Sequence, residues 1–254
     1  MTVGSLSRTA RRRRWWTLWV LLTVSALGIA GIAVPPYLTG NPADSNVPLN
    51  PDVALHYLSI AAHAVPGGLA LIIGPLQFVP QLRARRPKLH RITGRIYMIS
   101  VVIASAMAVF ATVFTLGGLA VQVAFSILIA AWLYTGVMAY RCIRRGEVQL
   151  HRIWVIRNYA LTFAAVTLRG YLLIGLLLKK AFFPSMDFDE LYTASVWASI
   201  LGNVLIAEYF IVQRTLAPLV RRRSGSTSPV PEPNRHLADH AAIDDLAQQT
   251  GPVS

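Results

Sequence analysis

Two ionisable side chains, Arg169 and Glu208, stand inside stretches otherwise without charge: Asn158 to Leu178 is interrupted only by Arg169, and Leu191 to Gln213 only by Glu208. A charge at mid-bilayer costs ~2.5–3.5 kcal/mol or more, so such residues are usually paired and mark ligand or ion sites. Measured from the basic ends of their stretches, Arg169 lies ~16 Å deep, Asn203 ~15 Å and Glu208 ~8 Å at ~1.5 Å per residue. Side chains lean toward the N-terminus of their own helix, and these two helices run in opposite directions. Arg169 and Glu208 are therefore expected to reach each other, with Asn203 completing the hydrogen bonds. Such a pair serves one of two ends. It locks the last two helices together, or it forms a site in which Arg169 holds an anionic ligand, such as a carboxylate, a haem propionate or a lipid head, and Glu208 orients it.

The histidines offer different chemistry. His90 and His151 stand on different helices at one expected depth, which is what bis-histidine ligation of a haem b iron requires. Arg91, Arg152 and Arg157 would then be available for haem propionates or the head group of a quinone. His56 and His63 are i, i+7 on one helix, ~10.5 Å apart along its axis, too far for easy ligation of one metal ion. Pro66, three residues past His63, is expected to kink that helix and make a pocket beside the imidazole, which adds His63 to the candidate ligand-binding residues. His236 and His240 are i, i+4 but have no further ligands nearby, so no metal site is assigned. No phosphate-binding glycine loop, HExxH, CxxC or nucleophile elbow occurs, and the single cysteine, Cys142, cannot bridge within the chain.

These residues must be positioned by helices in lipid. Of 254 residues 54% are hydrophobic and 14% charged, against roughly a quarter charged in soluble domains. Trp15 to Val34 carries no charge over 20 residues, enough to cross a ~30 Å hydrocarbon core. Val53 to Leu82 is a second such run. Ile96 to Tyr140 is too long for one helix and divides at Gly117-Gly118 into two. With the stretches holding Arg169 and Glu208, the expected fold is all-α: a polytopic integral membrane bundle of six transmembrane helices over residues 15–215. A basic segment, 1–14, precedes it and a disordered Ser/Pro-rich tail, 216–254, follows. A cleaved signal peptide is the rival reading of the first run, which is longer than the usual apolar region of ~7–15 residues. Trp15, Trp16, Trp19, Tyr97, Tyr140 and Tyr159 fall near the expected interfaces and read as anchors.

The net charge of +13 would suit a nucleic-acid binder if it were spread over a soluble surface. Divided by the six spans, 21 of the 24 basic residues share one side, Lys179 and Lys180 take the other, and Arg169 is within the membrane. The positive-inside rule then places both termini in the cytoplasm of a multi-pass protein of the cell (inner or plasma) membrane. The partners implied are membrane lipids and, in the binding reading, a small anionic ligand, not nucleic acid. An internal echo supports the lipid contact: RARRPKLHRITGRIY (83–97) and RRGEVQLHRIWVIRNY (144–159) both place Leu-His-Arg-Ile after a basic turn.

The segments GPLQFVPQLRARRPKLHRITGRIY (74–97), HRIWVIRNYALTFAAVTLRGYL (151–172) and Trp197 with NVLIAEYF (203–210) resemble the bacterial membrane proteins catalogued as domain of unknown function 2306, over roughly residues 55 to 212. The resemblance includes His63, Gln77, His90, Arg91, Arg157, Arg169, Asn203 and Glu208. It implies a multi-pass membrane protein and brings no catalytic roles. Three readings stay open: a binding or transport protein using Arg169, Asn203, Glu208 and His63; a b-type cytochrome-like module using His90 and His151; and a membrane scaffold without chemistry.

Overall fold

A computed structural model describes residues 8–213; the expected tail with His236 and His240 lies outside the described residues. Eight α-helices occur among them: α1 (Arg8–Ala33), α2 (His56–Ile73), α3 (Pro80–Arg85), α4 (Pro87–Val113), α5 (Gly118–Arg144), α6 (Val148–Thr162), α7 (Ala164–Phe182) and α8 (Phe188–Ile211). Six helical segments are long and apolar enough to cross a membrane: α1, α2, α4, α5, α6 with α7, and α8. Local sequence sets the breaks. Pro35-Pro36 follows α1, and Pro80 and Pro87 open α3 and α4, where a missing N–H costs nothing. Gly118 turns the chain between α4 and α5 at φ +75°, a conformation that a side chain would strain.

Small and polar residues are packed among the larger ones inside the bundle, and large apolar residues cover its outside. Ala26, Ala70, Ala104, Ser105, Ser199 and Asn158 are buried, whereas Leu21, Val24, Leu173, Leu177, Leu205 and Ile206 are each at least 56% exposed. In water that surface would aggregate; in lipid it is the favoured arrangement, because small residues let helices approach while large ones meet acyl chains. The most extensively packed helix pairs are α2 with α4, α5 with α6, and α7 with α8. At one approach, a Cβ on Gly74 would collide with the Tyr159 ring. Trp19 Nε1 donates to Pro75 O at 2.9 Å and ties α1 to the same turn.

A buried polar network joins α4, α5 and α6. Asn158 Nδ2 donates to Trp132 O (2.7 Å) and to Thr135 Oγ1 (2.8 Å). That fixes its amide orientation, since a carbonyl can only accept. Asn158 Oδ1 therefore accepts from the Tyr97 hydroxyl at 2.6 Å. Thr162 Oγ1 accepts from Trp132 Nε1 at 2.9 Å and stands 2.8 Å from Tyr97 Oη. With the Tyr97 proton already used on Asn158, the Thr162 proton is shared between Tyr97 Oη and Asn158 O (3.0 Å). A threonine bonded back one turn in this way tends to bend its helix, and the α6/α7 break falls at the next residue, Phe163.

Tyr97 and Tyr159 correct an expectation. Both are 3% exposed, and Tyr159 Oη donates to Leu71 O at 3.1 Å; neither is an interfacial anchor. Their helices begin about ten residues earlier than the charge-free runs suggest, which carries both rings inward.

Asn158→Ala deletes three hydrogen bonds and leaves the Tyr97 proton without its acceptor. We expect a loss of ~1–3 kcal/mol in unfolding free energy, and ~0.6–1.7 kcal/mol for Tyr97→Phe, both read from unfolding in detergent.

Candidate functional site

The expected Arg169–Glu208 pair is not formed. Glu208 on α8 instead accepts two bonds from Arg157 on α6, Nε to Oε1 at 2.6 Å and Nη2 to Oε2 at 2.9 Å. The physical reason is helix length. The fifth span starts at Val148 rather than Asn158, so Arg157 is part of it, and Arg169 stands twelve residues, ~18 Å, farther along. The Arg157 guanidinium also lies over the Trp154 ring at 4.7 Å, a cation–π contact. This fork-to-fork pair, with both partners partly exposed, fastens α6 to α8 near the arginine-rich end of the bundle.

Asn203 also leaves the expected site. Its Nδ2 donates to Ala160 O at 2.9 Å, next to the α6/α7 break. Neighbouring side chains commonly satisfy backbone groups that an interrupted membrane helix releases.

Arg169 is left in a different setting, in the half of the bundle away from the arginine-rich end. Its Nη1 folds back onto Ala165 O of its own helix at 2.8 Å, and it has no carboxylate partner among the described residues. Tyr37, Tyr192 and His63 lie within its electrostatic range. His63 Nδ1 contacts Ala104 O at 2.9 Å; the carbonyl can only accept, so the proton is on Nδ1 and Nε2 presents a lone pair in the neutral ring. Pro66 lies inside α2 without ending it. Tyr37 packs beside Tyr57, ring centroids 6.1 Å apart, and the buried Tyr57 hydroxyl has no hydrogen-bond partner. The structure thus places His63 within electrostatic range of Arg169 and adds two tyrosines, Tyr37 and Tyr192, that sequence reasoning missed. They come from a turn and a helix start, where an aromatic residue looks like any interfacial one.

At the arginine-rich end, His90 and His151 are brought within electrostatic range of each other. His151 Nδ1 donates to Ala139 O at 2.8 Å, leaving Nε2 available. His90 Nδ1 is buried without a partner. Arg83 is close as well, and partial burial first, then the charge of Arg152, hold its guanidinium below the ordinary value. Arg91 is a further neighbour of His90. His56 is separate: its Nδ1 accepts from Asn50 N at 2.8 Å and holds the loop before α2. Among the described residues no three His, Cys, Asp or Glu side chains gather as a metal site.

A family model described as "Predicted membrane protein (DUF2306)" matches residues 60–211, more than half of the chain. No curated protein and no solved structure matches.

The geometry makes a specific statement about pairing. In double-mutant cycles, Arg157→Gln with Glu208→Gln should show a coupling of about 1–2 kcal/mol, whereas Arg169→Gln with Glu208→Gln should show none beyond ~0.3–0.5 kcal/mol.

Proposed function

The chain belongs to the DUF2306 family of predicted membrane proteins, and from that premise we propose that it is an integral membrane protein that binds, and transports, a small organic anion at Arg169. One observation carries the reading: a guanidinium held within a membrane-spanning segment with no carboxylate partner among the described residues. A cation in that position needs a counter-charge. The groups around it are suited to a carboxylate. Arg169 offers a planar fork of donors, of which Nη1 alone is taken by Ala165 O. Tyr37 and Tyr192 supply hydroxyls, and His63 supplies an imidazole that can take or give a proton at Nε2.

The α6/α7 break supports transport over static binding. It interrupts the helix that carries Arg169, six residues before it, and interrupted helices are where transporters place substrate sites. With the arginine-rich end facing the cytoplasm of the plasma membrane, as the positive-inside bias sets it, this site lies in the outer half of the bilayer. Glu208 and Asn203 belong to the framework that holds α6 and α8, and they do not touch the anion.

A series of monocarboxylates from acetate to octanoate tests the reading. One or more should raise the melting temperature of the detergent-purified protein by ligand linkage. Arg169→Gln should abolish the rise, Arg169→Lys should retain part of it, and Glu208→Gln should lower the starting stability while leaving the rise intact. A rise that survives Arg169→Gln, or none with any member of the series, removes the proposal.

A further inference from the structure

The repeated Leu-His-Arg-Ile of residues 89–92 and 150–153 is not used by the Arg169 site. Its placement is regular. His90 is the fourth residue of α4 and His151 the fourth of α6, so the repeat sets an imidazole followed by a guanidinium on the same turn of two helices that start from the same end. Tyr97 and Asn158, seven residues past His90 and His151 on the same helix faces, are hydrogen-bonded at 2.6 Å, which sets the two helix starts side by side, and Arg83 on α3 completes the group within electrostatic range of both His90 and Arg152.

No acid neutralises this cluster among the described residues. Glu208 is committed to Arg157, and Glu147, the nearest carboxylate in sequence, interacts with Cys142. Arg152 makes only a long contact to Gln149 Oε1, 3.4 Å. His151 is oriented by Ala139 O with Nε2 unused, and His90 keeps a buried Nδ1 without a partner. Two guanidiniums with spare donors, the unpartnered His90 imidazole, and His151, whose Nε2 becomes a donor once its ring is protonated, have the donor number and charge for a tetrahedral oxyanion.

We propose that Arg83, His90, His151 and Arg152 form a binding site for a phosphate group with two negative charges, supplied either by a phosphomonoester lipid head such as phosphatidic acid or by free phosphate. A lipid source suits the position, since α4 and α6 begin here and Arg91 and Arg152 are exposed beside them. Free phosphate presents the same oxygens without an acyl chain. The site is separate from Arg169, so either proposal stands if the other falls.

The experiment uses the full chain. In nonionic detergent it is titrated with inorganic phosphate and, as a control for ionic strength, chloride; in nanodiscs its melting temperature is compared in phosphatidylcholine with and without phosphatidic acid. The expected result is a saturable stabilisation in one arm, which identifies the source. Binding should weaken at least tenfold in Arg83→Gln/Arg152→Gln and be unchanged in Arg169→Gln. Arg141→Gln/Arg144→Gln removes the same charge from the same end, outside the cluster, and should bind as the wild type does. Stabilisation in neither arm overturns the proposal, as does an equal loss in the Arg141/Arg144 variant, which would mean general attraction to a basic face. A purified protein with a Soret band that disappears in His90→Ala also overturns it, because the histidines would then hold a haem iron.

Discussion

In hydrocarbon a polar group has no water to fall back on, so each one in a spanning helix must be answered by another part of the same bundle. Asn158 shows how strongly this shapes the interior. Its amide uses both ends, donating into α5 at Trp132 O and Thr135 and accepting from Tyr97 on α4. Three helices are thereby held in one register, and the back-bonded Thr162 beside it marks the place where α6 gives way to α7. Asn203 then meets the Ala160 carbonyl next to that break. Small residues make the reach of these short side chains possible, and Gly74 against the Tyr159 ring is the tightest case.

The same constraint separates the two charges that look alike in sequence. Glu208 is answered by Arg157 through two parallel bonds, so that pair is part of the frame. Arg169 is answered by a backbone carbonyl and by aromatic hydroxyls at longer range, neither of which cancels its charge. In the proposed function, an anion from outside the chain supplies what the fold omits. At the arginine-rich end an excess of positive charge is less costly, because water and lipid phosphates are near; there the repeated His-Arg turns stand in the first turns of α4 and α6, at the bundle's rim rather than in its middle.

Much of the fold was legible because lipid imposes a simple code. Runs without charge located all six spans, and Gly117-Gly118 marked the turn between the third and fourth. What was hidden followed from using charge to find boundaries. Arg157 cuts the fifth charge-free run short, which sets the expected helix start ten residues late and points Glu208 at Arg169, where the fold pairs it with Arg157. The same shift made Tyr97 and Tyr159 look interfacial when they are buried. Asn158 and Thr162, i and i+4 inside an apolar run, were the available signal for the central network. Tyr37 and Tyr192 gave none, since only the tertiary packing of a turn and a helix start brings them toward Arg169.

The central claim is that Arg169 is an unanswered cation that takes an anion into the bundle, while Glu208 is spent on Arg157. Anomalous diffraction from crystals grown in bromide tests it most directly, because the halide stands in for the anion and scatters where it binds. A bromide peak within hydrogen-bonding distance of the Arg169 guanidinium, on the side facing His63, is the predicted result. A carboxylate side chain seated on Arg169, with bromide confined to the arginine-rich end, would contradict it.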